Sequence, residues 1–147
     1  MPLQDLEINR LFCLAKIFRS LIVNADARLL PIQMRNFPHG SCEYASILLL
    51  KYLKENEEPN FRLMICPQIW DCGWEGHVWV QRRDITVDIT LDQFECWSRP
   101  VFVGRNSVWH GRLQPVEERN PEEMGFPRQT WQEMDAAYAT IIESTST

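Results

Sequence analysis

Three residues of the sequence have the types and spacing of a cysteine-based catalytic triad: Cys42, His77 and Asp88. A thiol becomes a strong nucleophile when a base lies within hydrogen-bond reach. An imidazole becomes a directed base when a carboxylate fixes its tautomer and supports its positive charge. Together the three side chains predict attack on a carbonyl carbon, with a proton passing through the imidazole. Each residue is ordinary by itself, so the prediction depends on the fold bringing all three together.

Cys42 stands at the start of a predicted helix. Pro38 and Gly40 mark a loop, and the apolar run that follows predicts a buried helix over residues 41 to 54. Ser41 is expected to be the N-cap, its hydroxyl accepting a hydrogen bond from an amide of the first turn. The free amides and the positive end of the helix dipole favour a thiolate at Cys42. The alternative is a buried structural thiol, for which a capped helix start after Pro-x-Gly is not a typical position.

His77 and Asp88 are predicted to face each other across a β-hairpin. Residues 77–81 and 84–90 have the pattern of strands, with Arg82-Arg83 between them. A two-residue turn at that point pairs His77 with Asp88, and directly opposed residues have Cβ atoms about 5 Å apart. A longer loop would shift this register.

The same motifs carry a resemblance to a known superfamily. Pro-x-Gly-x-Cys entering a helix, His-x-Trp on a strand and Asp-x-Thr on the next strand resemble the papain-like and transglutaminase-like superfamily. Within it, the chain most resembles small bacterial toxin or effector domains, deamidases and transglutaminase-like peptidases, over residues 36 to 94. The resemblance implies Cys42 as nucleophile, His77 as general base and acid, and Asp88 as the group that orients His77.

The resemblance also implies an oxyanion hole made of the Cys42 backbone amide and a side-chain amide upstream. Asn36 lies six residues before Cys42, where papain-type enzymes have a glutamine, and Gln33 is a rival for that role. The sequence departs from papain itself at Glu43, which follows the cysteine directly. His39, close to Cys42 in the loop, is a competing base but has no evident carboxylate partner and is expected at the surface.

The loop before His77 is the candidate substrate wall. Trp70, Trp74 and Gly76 lie in it, and loops that lead into a catalytic strand often contact substrate. The two tryptophans are equally compatible with a place in the core. Since the chain has six Trp and seven Phe, we expect aromatic side chains in the core and in any groove.

The remaining elements predict an α+β domain in which the Cys42 helix packs on a small antiparallel sheet. No linker is visible, so one papain-like domain over residues 1–147 is expected. Cys13 falls in the first helix and is expected to be a buried small hydrophobe. The expected helices cover 4–23, 41–54 and 128–143, and the expected strands 61–66, 77–81, 84–90, 100–104 and 107–110. Residues 24–40 and 91–99 are expected to be loops with a turn of helix, and residues 111–127 to be irregular.

Composition excludes several classes of function. The net charge is −5, which argues against nucleic acid as a partner because phosphate binding needs clustered Lys and Arg. No apolar stretch is long enough to span a bilayer, and no signal peptide is expected. The five cysteines are therefore expected to be reduced thiols, in the cytoplasm or in an effector delivered into a target cell. The oligomeric state stays open.

The sequence therefore predicts a cysteine-dependent amide hydrolase or acyltransferase that acts on a protein or peptide and needs no cofactor. Proteolysis, glutamine deamidation and transamidation share one triad, so the sequence leaves them open. One alternative is a catalytically inactive papain-fold module that binds a partner through the Trp-rich loop. Another is a zinc-stabilised module, although no Cys-x-x-Cys pair occurs. The zinc ligands in that case would come from Cys66, Cys72, Cys96, His77 and His110.

Overall fold

The computed structural model describes residues 5–67, 76–94, 97–114 and 116–144. Within these ranges the chain forms four helices and a five-stranded antiparallel sheet, so the α+β class is confirmed. The helices are α1 (Leu6–Asn24), α2 (Cys42–Glu55), α3 (Val108–Gly111) and α4 (Arg128–Glu143), and short 3-10 turns cover Ala27–Leu29, Ile32–Met34, Leu91–Gln93 and Pro121–Met124. The strands are β1 (Arg62–Cys66), β2 (His77–Arg82), β3 (Ile85–Asp88), β4 (Phe102–Arg105) and β5 (Glu117–Arg119).

The sheet has the order β4-β3-β2-β1-β5, with β2 at its centre. The three long helices were predicted from their periodicity and are confirmed to within two residues of their ends. β5 lies in the segment that was expected to be irregular. Its three residues, two of them exposed, are charged and pair only with β1, so the sequence there shows no alternation of apolar and polar residues.

One face of the sheet is covered by the three long helices. The apolar stripe of α1, for example, consists of Leu11, Ala15, Phe18 and Ile22, all of them at most 2% exposed. We call this region the main core. Its other members include Ala45, Leu48, Leu49 and Leu53 of α2, Val78, Val80, Ile85 and Val87 of the sheet, and Met134, Ala137 and Ile141 of α4.

The opposite face of the sheet carries a second, smaller group of side chains that is rich in aromatic rings. We call it the aromatic cluster: Cys66, Trp79, Leu91 and Phe94, with Trp97, Phe102 and Trp109 packed against them. Because side chains alternate along a strand, Val78 and Val80 belong to the main core while His77 and Trp79 point into the aromatic cluster. The expectation of an aromatic core is thus confirmed for this face.

Two predictions about individual segments are wrong. Residues 107–110, predicted to be a strand, begin α3 instead, because the Ser107 hydroxyl accepts a hydrogen bond from the backbone N–H of His110 and caps a helical turn. Cys13 is exposed, since it lies on the side of α1 that faces away from the main core.

Candidate active site

Cys42 is the first residue of α2 and is half-buried. Gly40, with φ of +68°, allows the left-handed bend that leads the chain into this helix. Ser41 is the N-cap residue, but its hydroxyl does not accept a bond from the first turn. It donates instead to the carbonyl oxygens of Gln33 and His39, at 3.0 Å and 3.2 Å. The expected capping bond is therefore absent, and Ser41 ties the helix start to the preceding loop rather than to its own amides.

Ser46 fixes α2 against the strand that carries the histidine. Its buried hydroxyl donates a hydrogen bond of 3.1 Å to the carbonyl oxygen of Val78, the residue next to His77. Residues four apart share one side of a helix, so Ser46 lies on the same side as Cys42. This bond ties the start of α2 to β2, and the packing of Leu48 and Leu49 in the main core supports the same contact from the next turn.

His77 begins β2 and forms a short hydrogen bond with Asp88. Its Nε2 lies 2.6 Å from Asp88 Oδ2, and both side chains are at most 1% exposed. Gly76 precedes His77 at a close approach between two segments. A Cβ there would lie 2.9 Å from the carbonyl oxygens of both Cys66 and Pro67, so a larger residue would displace the strand that presents the imidazole.

The predicted pairing register of the hairpin is wrong by two residues. The turn consists of Arg83 and Asp84 rather than Arg82-Arg83, and Val80 pairs with Val87. Arg83 takes a positive φ of 56° in this tight turn, and Arg82 belongs to the strand. Continued along the hairpin, this register sets His77 opposite Thr90. A shift of two keeps every side chain on its face, so His77 and Asp88 still meet, as diagonal neighbours.

A second histidine, predicted only as a possible zinc ligand and not as part of the triad, binds the same carboxylate oxygen. Nε2 of His110 lies 2.8 Å from Asp88 Oδ2, and Nδ1 of His110 lies 2.6 Å from the Ser107 hydroxyl. His110 is 3% exposed. We call the group formed by His77, Asp88, His110 and Ser107 the buried network. A signal for it exists in the sequence, because a serine three residues before a histidine can cap a helical turn and bind the histidine.

The second oxygen of Asp88 and the second nitrogen of His77 also have partners. Asp88 Oδ1 accepts a hydrogen bond of 3.1 Å from the backbone N–H of Thr90. Gln93 Nε2 lies 3.3 Å from His77 Nδ1 and 3.3 Å from the Thr90 hydroxyl. Asp88 thus accepts three hydrogen bonds, which satisfies a buried carboxylate.

Arg19 of α1 holds the segment that supplies Gln93. Its guanidinium donates two bonds of 2.8 Å to the carboxylate of Asp92 and further bonds to the carbonyl oxygens of Ile89 (2.6 Å) and Pro100 (3.0 Å). The guanidinium also lies 5.0 Å from the centre of the Phe37 ring. One side chain therefore joins α1, the end of β3 and the loop before Cys42.

The charges of these side chains support one another. Burial alone lowers the pKa of His77, but the charge of Asp88, the hydrogen bond to Asp88 and the neighbouring Cys42 side chain outweigh burial and raise that pKa to about 9. Burial raises the pKa of Asp88, but the charge of His77 and the hydrogen bonds from both histidines outweigh it and hold that pKa well below its ordinary value. The favoured state is an imidazolium at His77 beside an ionised Asp88.

Aromatic rings enclose the imidazole of His77. Phe94 meets it edge-on at 4.9 Å between ring centres, Trp79 is stacked at 5.7 Å and Trp109 meets it edge-on at 6.0 Å. This environment excludes water from the His77–Asp88 pair, and a hydrogen bond between charged groups is stronger where water is excluded.

The residues proposed for the oxyanion hole and the substrate wall lie outside the hydrogen-bonded site or outside the described residues. Asn36 and Gln33 are exposed, and within the described part of the chain neither side chain forms a hydrogen bond with Cys42, His77 or Asp88. Gln33 lines a groove beside Glu133 and Ala136 of α4. Trp70 and Trp74 lie outside the described residues. His39 is exposed, as expected.

The buried network also contains the residue types of a metal site. The potential ligand atoms of His77, Asp88 and His110 all lie within 4.8 Å of one another, and all three residues are buried. Each Nε2 also lies at hydrogen-bond distance from the same Asp88 oxygen. A hydrogen-bonded network needs protons on these two nitrogens, whereas a metal site needs their lone pairs. Of the cysteines considered as zinc ligands, Cys66 is buried opposite His77 on β1, and Cys72 and Cys96 lie outside the described residues.

Comparison with known protein families, curated proteins and solved structures finds no match to this chain. None of the described helices combines the length and the apolar character that crossing a bilayer requires.

Proposed function

We propose that the protein is a cysteine-dependent amide hydrolase or acyltransferase of the papain-like and transglutaminase-like kind, with Cys42 as nucleophile, His77 as general base and acid, and Asp88 as the group that orients His77. One observation carries the proposal. The start of α2, the start of β2 and the end of β3 converge so that His77 is bonded to Asp88 through Nε2 while Cys42 is close enough to affect its pKa. Nε2 is bonded to Asp88, so the proton that His77 exchanges with the thiol is the one on Nδ1. Gln93, whose side-chain amide lies 3.3 Å from Nδ1, presents its oxygen rather than its NH2 to that nitrogen in the imidazolium state.

In the first step, the Cys42 thiolate attacks the carbonyl carbon of an amide and the carbonyl oxygen becomes an oxyanion. The His77 imidazolium then gives its Nδ1 proton to the amide nitrogen as the carbon–nitrogen bond breaks, which leaves a thioester on Cys42. Neutral His77 next takes a proton from water or from an amine, whose oxygen or nitrogen attacks the thioester. The thiolate leaves, and both groups return to their starting states.

The N-terminus of α2 is the proposed site for the oxyanion. The Cys42 backbone N–H lies in the first turn, where amides have no partner within the helix. The Ser41 side chain forms no capping hydrogen bond with these amides and therefore does not occupy them. The side-chain donor that the resemblance implies, Asn36 or Gln33, stays a prediction.

The proposed substrate is an amide of a protein or peptide. Water as acceptor gives proteolysis when the amide belongs to the backbone and deamidation when it belongs to a glutamine side chain, while an amine as acceptor gives transamidation. The resemblance to small bacterial effectors favours deamidation and action as a toxin. Intact-mass measurement of candidate proteins after incubation separates the three outcomes, since they give fragments, an amide converted to an acid, or a covalent adduct.

The nucleophile is tested by iodoacetamide labelling at pH 6, with peptide mapping to count adducts at each cysteine. Cys13 is exposed and is the internal control for an ordinary thiol. An ordinary thiol is about 0.3% thiolate at pH 6, whereas a thiolate–imidazolium pair is almost fully ionised but is individually less nucleophilic. We expect Cys42 to label about tenfold faster than Cys13 and to lose this advantage in His77→Ala.

Labelling of Cys42 no faster than Cys13 in the wild-type protein contradicts the proposal. Equal labelling of Cys42 in the wild type and in folded His77→Ala contradicts the role of His77. If the protein binds zinc in a one-to-one ratio and loses it when His77 or His110 is substituted, the zinc-stabilised module becomes the better hypothesis.

A further inference from the structure

The buried network extends beyond the proposed triad on the side of Asp88 away from Cys42. His110 reaches Asp88 Oδ2 at 2.8 Å, nearly as close as His77 at 2.6 Å. One carboxylate oxygen therefore serves two buried imidazoles from different elements, β2 and α3. Orientation of a single catalytic histidine requires only one of these bonds.

The hydrogen-bond partners assign the protons of His110. Asp88 is ionised and only accepts, so the Nε2 of His110 is the donor to it. The backbone N–H of His110 donates to the Ser107 hydroxyl oxygen, and the hydroxyl proton is then available to donate to His110 Nδ1 at 2.6 Å. This arrangement satisfies every polar atom of a neutral imidazole with its proton on Nε2. Ser107 thus selects the tautomer that donates to Asp88.

His110 is also held in place by the aromatic cluster. Its ring centre lies 4.9 Å from that of Trp79, 5.0 Å from that of Trp109 and 5.3 Å from that of Phe102. The imidazole therefore cannot turn away from Asp88 without disturbing three packed rings. Rigid support of this kind is what a side chain needs if it is to fix the position of a carboxylate.

We propose that His110 is a positioning residue: as a neutral Nε2–H donor fixed by Ser107, it holds the Asp88 carboxylate in the one orientation that keeps His77 Nδ1 directed at Cys42. This inference rests on the proposed function, because its consequence is measured at Cys42. A second donor on Oδ2 also reduces the affinity of that oxygen for a proton, so the proton between Asp88 and His77 stays on the imidazole. Asp88 remains a fixed acceptor throughout the reaction.

The experiment compares four variants by Cys42 labelling and by nitrogen-15 NMR of the imidazoles. His110→Leu removes the donor, and His110→Gln keeps an N–H that can reach Oδ2. Ser107→Ala removes the bond that selects the tautomer. His39→Gln is the matched control, since His39 is an exposed loop residue outside the network. With only three histidines in the sequence, the imidazole signals are readily assigned from these variants.

The expected wild-type spectrum shows a neutral His110 with its proton on Nε2. We expect His110→Leu to lower the Cys42 labelling rate about tenfold, the effect of losing one hydrogen bond to a charged group. We also expect it to shift the His77 Nε2 signal. His110→Gln should recover most of the rate, Ser107→Ala should show an intermediate loss and His39→Gln should have no effect. Unfolding curves establish that each variant is folded. If His110→Leu does not fold, the labelling rates of His110→Gln and Ser107→Ala are compared with the wild-type rate instead.

The inference is overturned if folded His110→Leu keeps the wild-type labelling rate and the wild-type His77 Nε2 signal. It is also overturned if His110 in the wild-type protein carries its proton on Nδ1. Failure of the proposed function gives a different result, slow Cys42 labelling in the wild-type protein. In that case the His77 signal still reports whether His110 positions the Asp88–His77 pair.

Discussion

The two faces of the sheet bury side chains of opposite character. On one face, Val80 and Val87 pack against three long helices in the main core, which is predominantly aliphatic. On the other face, His77 and Asp88, which belong to the same two strands, form a buried ion pair among aromatic rings. The alternation of a strand separates these environments by one residue.

The two faces differ in how much their buried groups contribute to the stability of the fold. Apolar burial stabilises a fold by about 25 cal/mol for each Å² removed from water, whereas a buried ion pair is often no more stabilising than the apolar residues that could replace it. Asp88 is nevertheless fully buried with three hydrogen bonds. Under the proposed function, the main core is the support that fixes α2 and β2, and the buried network supplies the reacting groups.

The largest expected effect on stability comes from the main core. Leu49→Ala removes a side chain that is 1% exposed, and the cavity should lower the free energy of unfolding by about 3 kcal/mol. Because Leu49 lies outside the network, the Cys42 labelling rate of the folded protein should stay at the wild-type value. Urea unfolding and labelling of one preparation give both results. A stable variant with a slow Cys42 would show that the two regions are not separate.

The buried network should make stability depend on pH. The pKa of His77 is raised from 6.5 to about 9, so its contribution is complete below pH 6.5 and is lost as the pH rises through 9. The lowered pKa of Asp88 makes its contribution complete above about pH 4 and lost at lower pH. Urea unfolding at pH 5.5 and pH 9 should differ by up to about 3 kcal/mol. Leu49→Ala should keep this difference and His77→Gln should lose most of it; equal differences in these two variants would contradict the assignment.

Arg19 connects the two regions, so its loss should affect both. Arg19→Leu leaves Asp92 and two carbonyl oxygens without their donor and should lower the free energy of unfolding by about 2 kcal/mol. Cys42 labelling should also fall, because the Gln93 segment and the loop near Phe37 both lose an anchor. Arg19→Lys is the control, since it keeps the charge but not the planar fork of donors. Full recovery by Lys would show that charge alone is required.

Gly40 should give the smallest effect. Gly40→Ala forces a side chain into a left-handed conformation with φ of +68° and should cost about 1 kcal/mol of stability. No atom lies within 4 Å of the added Cβ, so steric clash adds nothing. Because the residue leads into Ser41 and Cys42, labelling is expected to fall slightly. A loss of stability as large as that of Leu49→Ala would show that the loop belongs to the folding core.

The sequence predicted the parts of the fold that have a repeating pattern. Periodicity identified α1, α2 and α4, and alternation identified the hairpin and the face shared by His77 and Asp88. The register was wrong by two because Arg82-Arg83 and Arg83-Asp84 are equally plausible turns in the sequence. A shift of two residues leaves each side chain on the same face of the sheet, so His77 and Asp88 are still in contact as predicted.

The missed half of the network lies in a segment too short for a pattern. α3 has four residues, about one helical turn, and its Val108-Trp109 pair also fits a strand. The position of His110 next to Asp88 arises from the packing of α3 on Trp79 of β2 and Phe102 of β4, which belong to other elements. Only the Ser107 cap is local, and it predicts a turn without predicting what the turn contacts.

The proposed function requires that Cys42 and His77 form a thiolate–imidazolium pair, and the ultraviolet absorbance of the thiolate measures this pair directly. The difference in absorbance between the wild-type protein and Cys42→Ser is followed from pH 4 to pH 10, which subtracts the other cysteines. We predict that the full thiolate signal is already present at pH 6 and is absent at that pH in His77→Ala. A signal that appears only near pH 8.5, the range of an ordinary cysteine, would show that no such pair forms.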